Sequence, residues 1–277
     1  MNSPALKTHD LAPSHQRARG TGELVVATID GTTSIQRLYQ KGCAKIRVPR
    51  STSKYLEAVM INTSGGMTGG DELDWKFSAH ENTTLTVTTQ ACERVYKSSI
   101  GSAHATISLR ARRGATLHWL PQETILFDQC GLKRKINVEL DTDSELLMVE
   151  PLVFGRKAMG EINVQGSVYD SWRIHQSGNL IHAEDFRMSG NLTDTLASPF
   201  VADSKTACAT ILLVSSRVEG LINEAKDIVG GTGGVSCWNG KLLARIISHD
   251  SYKLRQTMCP LLALLNGEKS MPKIWAN

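Results

Sequence analysis

Four carboxylates of this 277-residue chain have settings that point to chemistry: Asp71, Glu123, Glu150 and Glu161. Three of them lie inside or beside strongly apolar stretches, and a carboxylate buried without a partner costs several kcal/mol. We therefore expect each one to have a hydrogen-bonded partner or a water-filled cavity. The sequence offers three arginines as candidate partners: Arg94, Arg156 and Arg245.

These carboxylates admit more than one use. Structural ion pairs are one use, and an acid-lined path or interface that handles a cation is another. A third is a β-rich hydrolase that works through paired carboxylates such as Glu123 and Glu150. The residues by themselves leave these alternatives open.

A glycine-rich segment, NTSGGMTGGD at 62–71, ends in one of these carboxylates. It lacks the lysine of a phosphate-binding loop, and its closing acid would repel a phosphate. Glycine also permits φ > 0 and lets another part of the chain come close. We interpret the segment as tight turns rather than as a phosphate cradle.

Patterns of nucleophilic and metal catalysis are absent from the sequence. It contains no GxSxG elbow, no CxxC pair among its six cysteines, and no metal-binding spacing among its eight histidines. His175 and His182 flank a QSGN turn at 176–179, which is a weak metal-site signal. We expect separate thiols and no tightly bound metal.

Composition restricts the compartment and the partners. The net charge of +4 is dispersed, and the longest basic run, KRK at 133–135, is interpreted as a solvated strand end or turn, so no nucleic-acid partner is expected. The apolar runs Ala209–Val214 and Leu261–Leu265 are too short to span a bilayer. Residues 1–20 lack the apolar core of a signal peptide. We expect a cytoplasmic protein with no membrane partner.

Alternating apolar residues predict the elements that position these groups. Segments such as TLTVTT, HATISLRA and KINVELD have the period-2 pattern of half-buried strands, and LLMVEPLVFG is typical of a strand covered on both faces. The fold class predicted is mainly β, a large antiparallel-rich scaffold with one or two late helices. Residues 1–20 are predicted to be a flexible polar tail and residues 21–277 a single β-rich domain.

Two segments carry helical spacing instead. SSRVEGLINEAKDIVGG has an apolar face, with Ser215 or Ser216 as its cap and Gly230 at its end. The second is Ser251–Leu265, which Pro260 is expected to break or kink. Its apolar residues are candidates either for the core or for an exposed docking surface.

Seven segments, in this order along the chain, share a pattern with one known family. They are NTSGGMTGGD (62–71), TTQACERVYKS (88–98), HWLPQETILFD (118–128), LLMVEPLVFGRKAMGE (146–161), GVS (234–236), the LLARII strand containing Arg245, and PKIW (272–275). From about residue 22 to its end, the chain resembles the urease accessory protein UreD family, also called UreH. The last motif departs from the family pattern, since Lys273 stands where arginine is usual.

The resemblance implies a β scaffold that catalyses no reaction itself. UreD-like proteins bind urease apoprotein and UreF, which recruits the GTPase UreG, and this assembly delivers nickel to urease. The family is thought to pass nickel through an internal water-filled tunnel, so the resemblance implies transient nickel and no permanently bound cofactor. Docking to these partners without any contact to nickel is an alternative.

Site residues follow from the matched motifs. As candidates for a nickel path or an interface, the resemblance implies Asp71, Glu123, Glu150 and Glu161. The other matched positions, taken as structural, are Asn62, Gly65, Gly66, Gly69, Gly70, Gln90, Arg94, Tyr96, Pro121, Gln122, Gly155, Arg156, Gly160, Arg245 and Trp275.

Overall fold

A computed structural model describes residues 17–50, 54–267 and 271–276. Two β-sheets dominate it. The first sheet has seven strands, in the spatial order β14 (Asn179–Asn191), β13 (Gln165–Gln176), β11 (Cys130–Leu140), β8 (Ala103–Ala111), β5 (Glu72–Ala79), β1 (Arg19–Ile29) and β2 (Thr32–Gly42).

The second sheet has ten strands. Eight follow one another in the order β16 (Gly233–Trp238), β17 (Lys241–Ser248), β15 (Ala207–Val214), β12 (Glu145–Phe154), β9 (Thr116–Leu120), β6 (Thr84–Thr89), β4 (Leu56–Asn62) and β3 (Ala44–Arg47). Two short strands branch from β12: β10 (Thr124–Leu126), which pairs with it, and β7 (Glu93–Val95), which pairs with β10.

The mainly β prediction is confirmed, but the sheets are mixed rather than antiparallel-rich. Between β4 and β13 the chain crosses repeatedly from one sheet to the other, so neighbours within a sheet run in the same direction. Period-2 alternation shows that one face of a strand is buried but not which strand lies beside it. Parallel sheets are usually covered on both faces, so alternating strands suggested antiparallel pairs.

Antiparallel pairs lie towards the ends of the sheets. The QSGN hairpin is formed as predicted: β13 and β14 pair through a two-residue turn at Ser177 and Gly178, both with positive φ. This turn has the chemistry of a tight hairpin. A register shift between Ile174 and His175 places His182 opposite Ile174, so the two histidines do not face each other.

Three α-helices occur in the described residues: α1 (Leu192–Ala197), α2 (Val218–Val229) and α3 (Ser251–Leu265). Helix α2 ends at Gly230 as predicted, but its N-cap is Arg217, whose backbone N–H donates to Ser215. Helix α3 runs unbroken through Pro260, so the predicted break is wrong. Proline removes only one N–H from the helix, and packing of the apolar face stabilises the remainder.

Two hydrophobic cores result. The larger lies between the sheets, and the smaller packs α2 and α3 against the outer face of the second sheet. Strand β12 contributes to both, as its sequence predicted: Leu146 and Met148 belong to the first core, Leu147 and Val149 to the second. The apolar face of α3 is fully buried there, so the docking surface considered for Ser251–Leu265 is core instead.

The first strand, β1, begins at Arg19, and the division into a tail and a single domain stays a prediction. The predicted tail falls mostly on residues 1–16, which lie outside the described residues. Within the described part of the chain, no helix combines the length and apolar character needed to cross a bilayer.

An ion pair connects helices α2 and α3 to β12. Arg217 donates to both carboxylate oxygens of Glu145, at 3.1 and 3.0 Å, and also to the backbone oxygen of Leu265 at the end of α3. Burial raises the pKa of Glu145, but hydrogen bonds from His118, Arg217 and Ser215 outweigh this and lower the pKa to about 2.

We expect Glu145 to stabilise the fold in a pH-dependent way. Its pKa is lower in the folded state, so its contribution is complete above the unfolded pKa of about 4.5 and is lost as the pH falls from there towards 2. Arg217 is partly exposed, so solvent screening limits the contribution to about 1 kcal/mol. Urea unfolding at pH 7 and pH 3 measures it, and Glu145→Gln should flatten the difference. An unchanged pH dependence in that variant would contradict the assignment.

Candidate functional site

The second sheet is interrupted across two neighbouring strands. The chain leaves β6 at Thr89 and resumes as β7 at Glu93, and it leaves β9 at Leu120 and resumes as β10 at Thr124. Because β6 pairs with β9 and β7 with β10, the two breaks lie side by side. Residues of both breaks, with side chains from both sheets, line a cavity of about 200 Å³.

Four of the sequence motifs meet at this cavity. The predicted site residues from these motifs that line it are Asn62, Gly65, Gln90, Arg94, Pro121, Gln122 and Glu150. These positions are far apart in sequence, and the alternation of strands between sheets brings them together. The motifs thus describe one place in the fold.

The glycine loop forms one wall and is closely packed. Asn62 Nδ2 donates to the backbone oxygen of Gly66 at 3.1 Å, and the Tyr96 hydroxyl donates to the backbone oxygen of Gly65 at 2.9 Å. A Cβ at Gly66 would lie 2.3 Å from the Tyr96 ring, and one at Gly69 would lie 1.9 Å from Ser98 Oγ. The loop therefore requires glycine for close approach.

Asp71 closes this loop through its backbone contacts. Its two carboxylate oxygens accept from Ala18 N and Thr68 N, each at 2.8 Å. Asp71 is buried but does not line the cavity. The geometry gives it a hydrogen-bonding role in the loop, and its place in a nickel path stays a prediction.

Glu150 lies at the centre of the site. It is 3% exposed, accepts from Trp119 Nε1 at 2.6 Å, and contacts Arg134 Nη1 at 2.6 Å. The same guanidinium reaches Asp170, with Nη2 2.5 Å from Oδ2. Burial raises the pKa of Glu150, and Arg134 opposes this shift. One cation is thus shared between two buried carboxylates.

A second cavity, of about 180 Å³, shares one lining residue with the first. Glu150 lines both cavities, and Asp170 lines the second. Farther along, Arg245 pairs with Glu184 at its wall. Carboxylates and arginines thus line both cavities, from the glycine loop beside the first to Arg245 of β17 beside the second.

Glu93 places another carboxylate at the glycine-loop end. Burial raises its pKa to about 7, opposed by hydrogen bonds that include one from Asn62. Asn62 Nδ2 lies 3.3 Å from both carboxylate oxygens of Glu93. Glu93 is therefore poised to change its charge near neutral pH.

The remaining predicted carboxylates lie outside both cavities. Glu123 is held by two hydrogen bonds from Arg255, at 2.7 Å each, and Glu161 pairs with Arg156, one of the partners expected from the sequence. Because Glu150 lines the cavities and Glu123 does not, the structure gives the paired-carboxylate hydrolase no shared cavity. Burial raises the pKa of Glu123, but the hydrogen bond from Arg255 leads the opposing effects and the net shift is downward.

Three further motif residues have structural surroundings. Gly155 and Gly160 adopt positive φ on either side of the short helical turn Lys157–Met159, which directly precedes Glu161. Trp275 is buried under α3, where its Nε1 donates to Thr88 Oγ1 at 3.0 Å. No group of three or more His, Cys, Asp or Glu side chains that could hold a metal ion occurs within the described residues.

Comparison with known proteins identifies the same family as the sequence motifs. The family described as UreD urease accessory protein matches residues 18–276. The chain belongs to the UreD family. It is 47% identical to the urease accessory protein UreD of Mesorhizobium japonicum, with 95% of this chain and 96% of the relative covered. It is 46% identical to UreD 1 of Brucella abortus, with 95% of each covered, and 44% identical to UreD of Agrobacterium fabrum, with 94% and 92% covered.

Sequence reasoning missed five charged residues of this UreD chain: Glu93, Arg134, Asp170, Glu184 and Arg255. The interpretation of KRK at 133–135 is wrong for its central residue: Lys133 and Lys135 are exposed, whereas Arg134 is 7% exposed inside β11. The signal was present, since Arg134 has the same parity as the buried Ile136 and Val138. Asp170 likewise has the parity of the buried Val168 and Trp172 in β13.

Proposed function

We propose that this chain is a non-catalytic scaffold for nickel insertion into urease apoprotein. It acts in the cytoplasm in a complex with UreF and the GTPase UreG, and it conducts nickel through its interior. Nickel is transient cargo in this proposal, and no cofactor is permanently bound. Membership of a family of urease accessory proteins supports the role in maturation.

One observation carries the proposed path: two cavities lined by carboxylates meet at the buried Glu150. A cation that moves through a protein needs oxygen ligands and water, because a cluster of thiolates or imidazoles would hold a borderline metal such as nickel too tightly. Glu93 and Glu150 line the first cavity, and Asp170 and Glu184 continue the series in the second. Such a series offers successive oxygen ligands to a hydrated divalent cation.

The positions of the family motifs in the fold also support the proposal. They form the two strand breaks and the close-packed loop that shape the first cavity. Burial of the polar groups around Glu150 costs free energy unless protein or water satisfies their hydrogen bonds. Several remain incompletely paired, as described below, which favours a water-filled path.

Urease nickel content in cells that lack this gene tests the proposal. We expect assembled but nickel-poor, inactive urease, with nickel and activity restored by the wild-type gene. Urease abundance is measured in parallel, so that loss of apoprotein is distinguished from loss of nickel. Fully loaded, active urease in the absence of the gene would refute the proposed function.

A further inference from the structure

Arg134 occupies the point where the two cavities meet. Its guanidinium contacts Glu150 on one side and Asp170 on the other, and all three residues are at most 7% exposed. Arg134 lines the first cavity, Asp170 lines the second, and Glu150 lines both. A buried positive charge therefore stands between Glu150, which lines both cavities, and Asp170, which lines the second.

The junction is not a closed ion-pair network. Four buried polar atoms around it make no hydrogen bond within the described part of the chain: Arg134 Nε, Glu150 Oε2, Asp170 Oδ1 and Trp172 Nε1. Glu150 Oε2 is close to Arg134 Nη1 as an ion pair but does not have hydrogen-bond geometry with it. Buried polar atoms are normally satisfied by protein or by ordered water. The two N–H donors and two carboxylate oxygens therefore point to a hydrated site, at which the oxygens could act as ligands to a cation.

A divalent cation and Arg134 exclude each other from this junction. The charge of the guanidinium repels a divalent cation placed a few ångströms away, and this repulsion is stronger in a buried site than in water. A cation that reached Glu150 would have to displace the guanidinium. The path is consequently closed while Arg134 contacts Glu150.

The contacts allow such a displacement without unfolding. Arg134 donates to Asp170 at 2.5 Å and to Thr124 Oγ1 at 3.2 Å, so it retains partners after it leaves Glu150. Glu150 keeps its orientation through Trp119 Nε1 at 2.6 Å. The displacement breaks the ion pair between Arg134 and Glu150, and each of the two residues keeps its other hydrogen bonds.

We propose that Arg134 is a resident cation that closes the interior path, and that its movement away from Glu150, while it stays paired with Asp170, frees Glu150 to bind a hydrated divalent cation. The inference rests on the proposed function for the identity of the cargo as nickel. The site itself is defined by the geometry of this chain. Arg134 therefore controls access of the cation to Glu150 and is not itself a ligand.

Nickel titration of the full-length purified protein tests the site directly. Isothermal titration calorimetry with a nickel(II) salt is run on the wild type, on Arg134→Met and on the double variant Arg134→Met/Glu150→Gln. We expect Arg134→Met to bind one equivalent of nickel at least about tenfold more tightly than the wild type, and the double variant to lose that gain. Arg173→Met serves as the matched control, because Arg173 pairs with Asp185 on the solvent-facing side of β13 and β14. It should leave nickel binding unchanged.

Removal of Arg134 leaves two buried carboxylates without their cation, so a second pair of variants guards against loss of the fold. Arg134→Met/Asp170→Asn removes one of those charges and keeps Glu150, and Arg134→Lys keeps a positive charge that cannot bridge both carboxylates. Both should bind nickel more tightly than the wild type, with circular dichroism confirming the fold. Three of these variants retain Glu150: Arg134→Met, Arg134→Met/Asp170→Asn and Arg134→Lys. If none of them binds nickel more tightly than the wild type, the proposal is overturned.

The result is separable from the proposed function. A gain in nickel affinity with fully loaded urease in the deletion strain would leave the cation site standing and refute the maturation role. Nickel-poor urease in the deletion strain with no gain in affinity would leave the maturation role standing and refute Arg134 as the resident cation.

Discussion

Replacement of Glu150 by glutamine is expected to lower the nickel content of urease by at least about tenfold. Among the described residues, Glu150 alone lines both cavities, so nickel on the proposed path must pass it. A carboxylate about 4 Å from a cation contributes on the order of 4 kcal/mol per unit charge at an effective dielectric constant of ~20. A factor of ten requires only ~1.4 kcal/mol. Nickel per urease, measured by mass spectrometry after complementation of the deletion strain, gives the result.

The fold should survive this substitution. Glutamine keeps an oxygen that can accept from Trp119 Nε1, and Arg134 keeps Asp170 and Thr124. We expect a loss in unfolding free energy of about 1–3 kcal/mol, the range for one charged hydrogen bond. Glu139→Gln is the matched control, since it removes the same charge from the exposed side of β11. Wild-type nickel loading with Glu150→Gln would mean that Glu150 has a structural role only.

The sequence predicts the buried faces of this fold better than its strand order. Alternation identified β8, β11 and the two-faced β12, because burial of one side chain in two depends only on the local strand. Pairing depends on where the chain goes next. Here the Gly-, Asp- and Asn-containing turns lead to the facing sheet instead of to a hairpin neighbour, and nothing local to those turns distinguishes the two outcomes.

For the candidate site too, the sequence predicted some of the residues but not their contacts. Motif resemblance identified Glu150 and residues of the two strand breaks, several of which line the first cavity. It did not give Glu150 its partner, because Arg134 lies in a segment whose two lysines suggested a solvated run. Parity along β11 would have identified Arg134 as buried, but its contact with both Glu150 and Asp170 joins three strands of two sheets. Such a contact can be read only from the folded chain.

Loss of the Arg255 side chain is expected to have the largest effect on stability. Arg255 donates to both oxygens of Glu123, and its Nη2 also donates to Gln122 Oε1 at 2.9 Å. Glu123 is 1% exposed, so Arg255→Met would leave a buried carboxylate without its cation. Breaking a buried pair in this way costs about 3–5 kcal/mol. The midpoint and slope of urea unfolding measure the change.

Two comparisons separate the ion pair from the remainder of helix α3. Arg255→Met/Glu123→Met removes both charges and should recover much of the loss, because two apolar side chains replace a desolvated pair. Lys253→Met alters an exposed residue of the same helix and should stay within about 0.5 kcal/mol of the wild type. If Arg255→Met were as mild as Lys253→Met, the pair would not hold α3 to the strand break. Because Gln122 lines the first cavity and accepts from Arg255, the same contact connects the stability of α3 to the shape of the proposed nickel path.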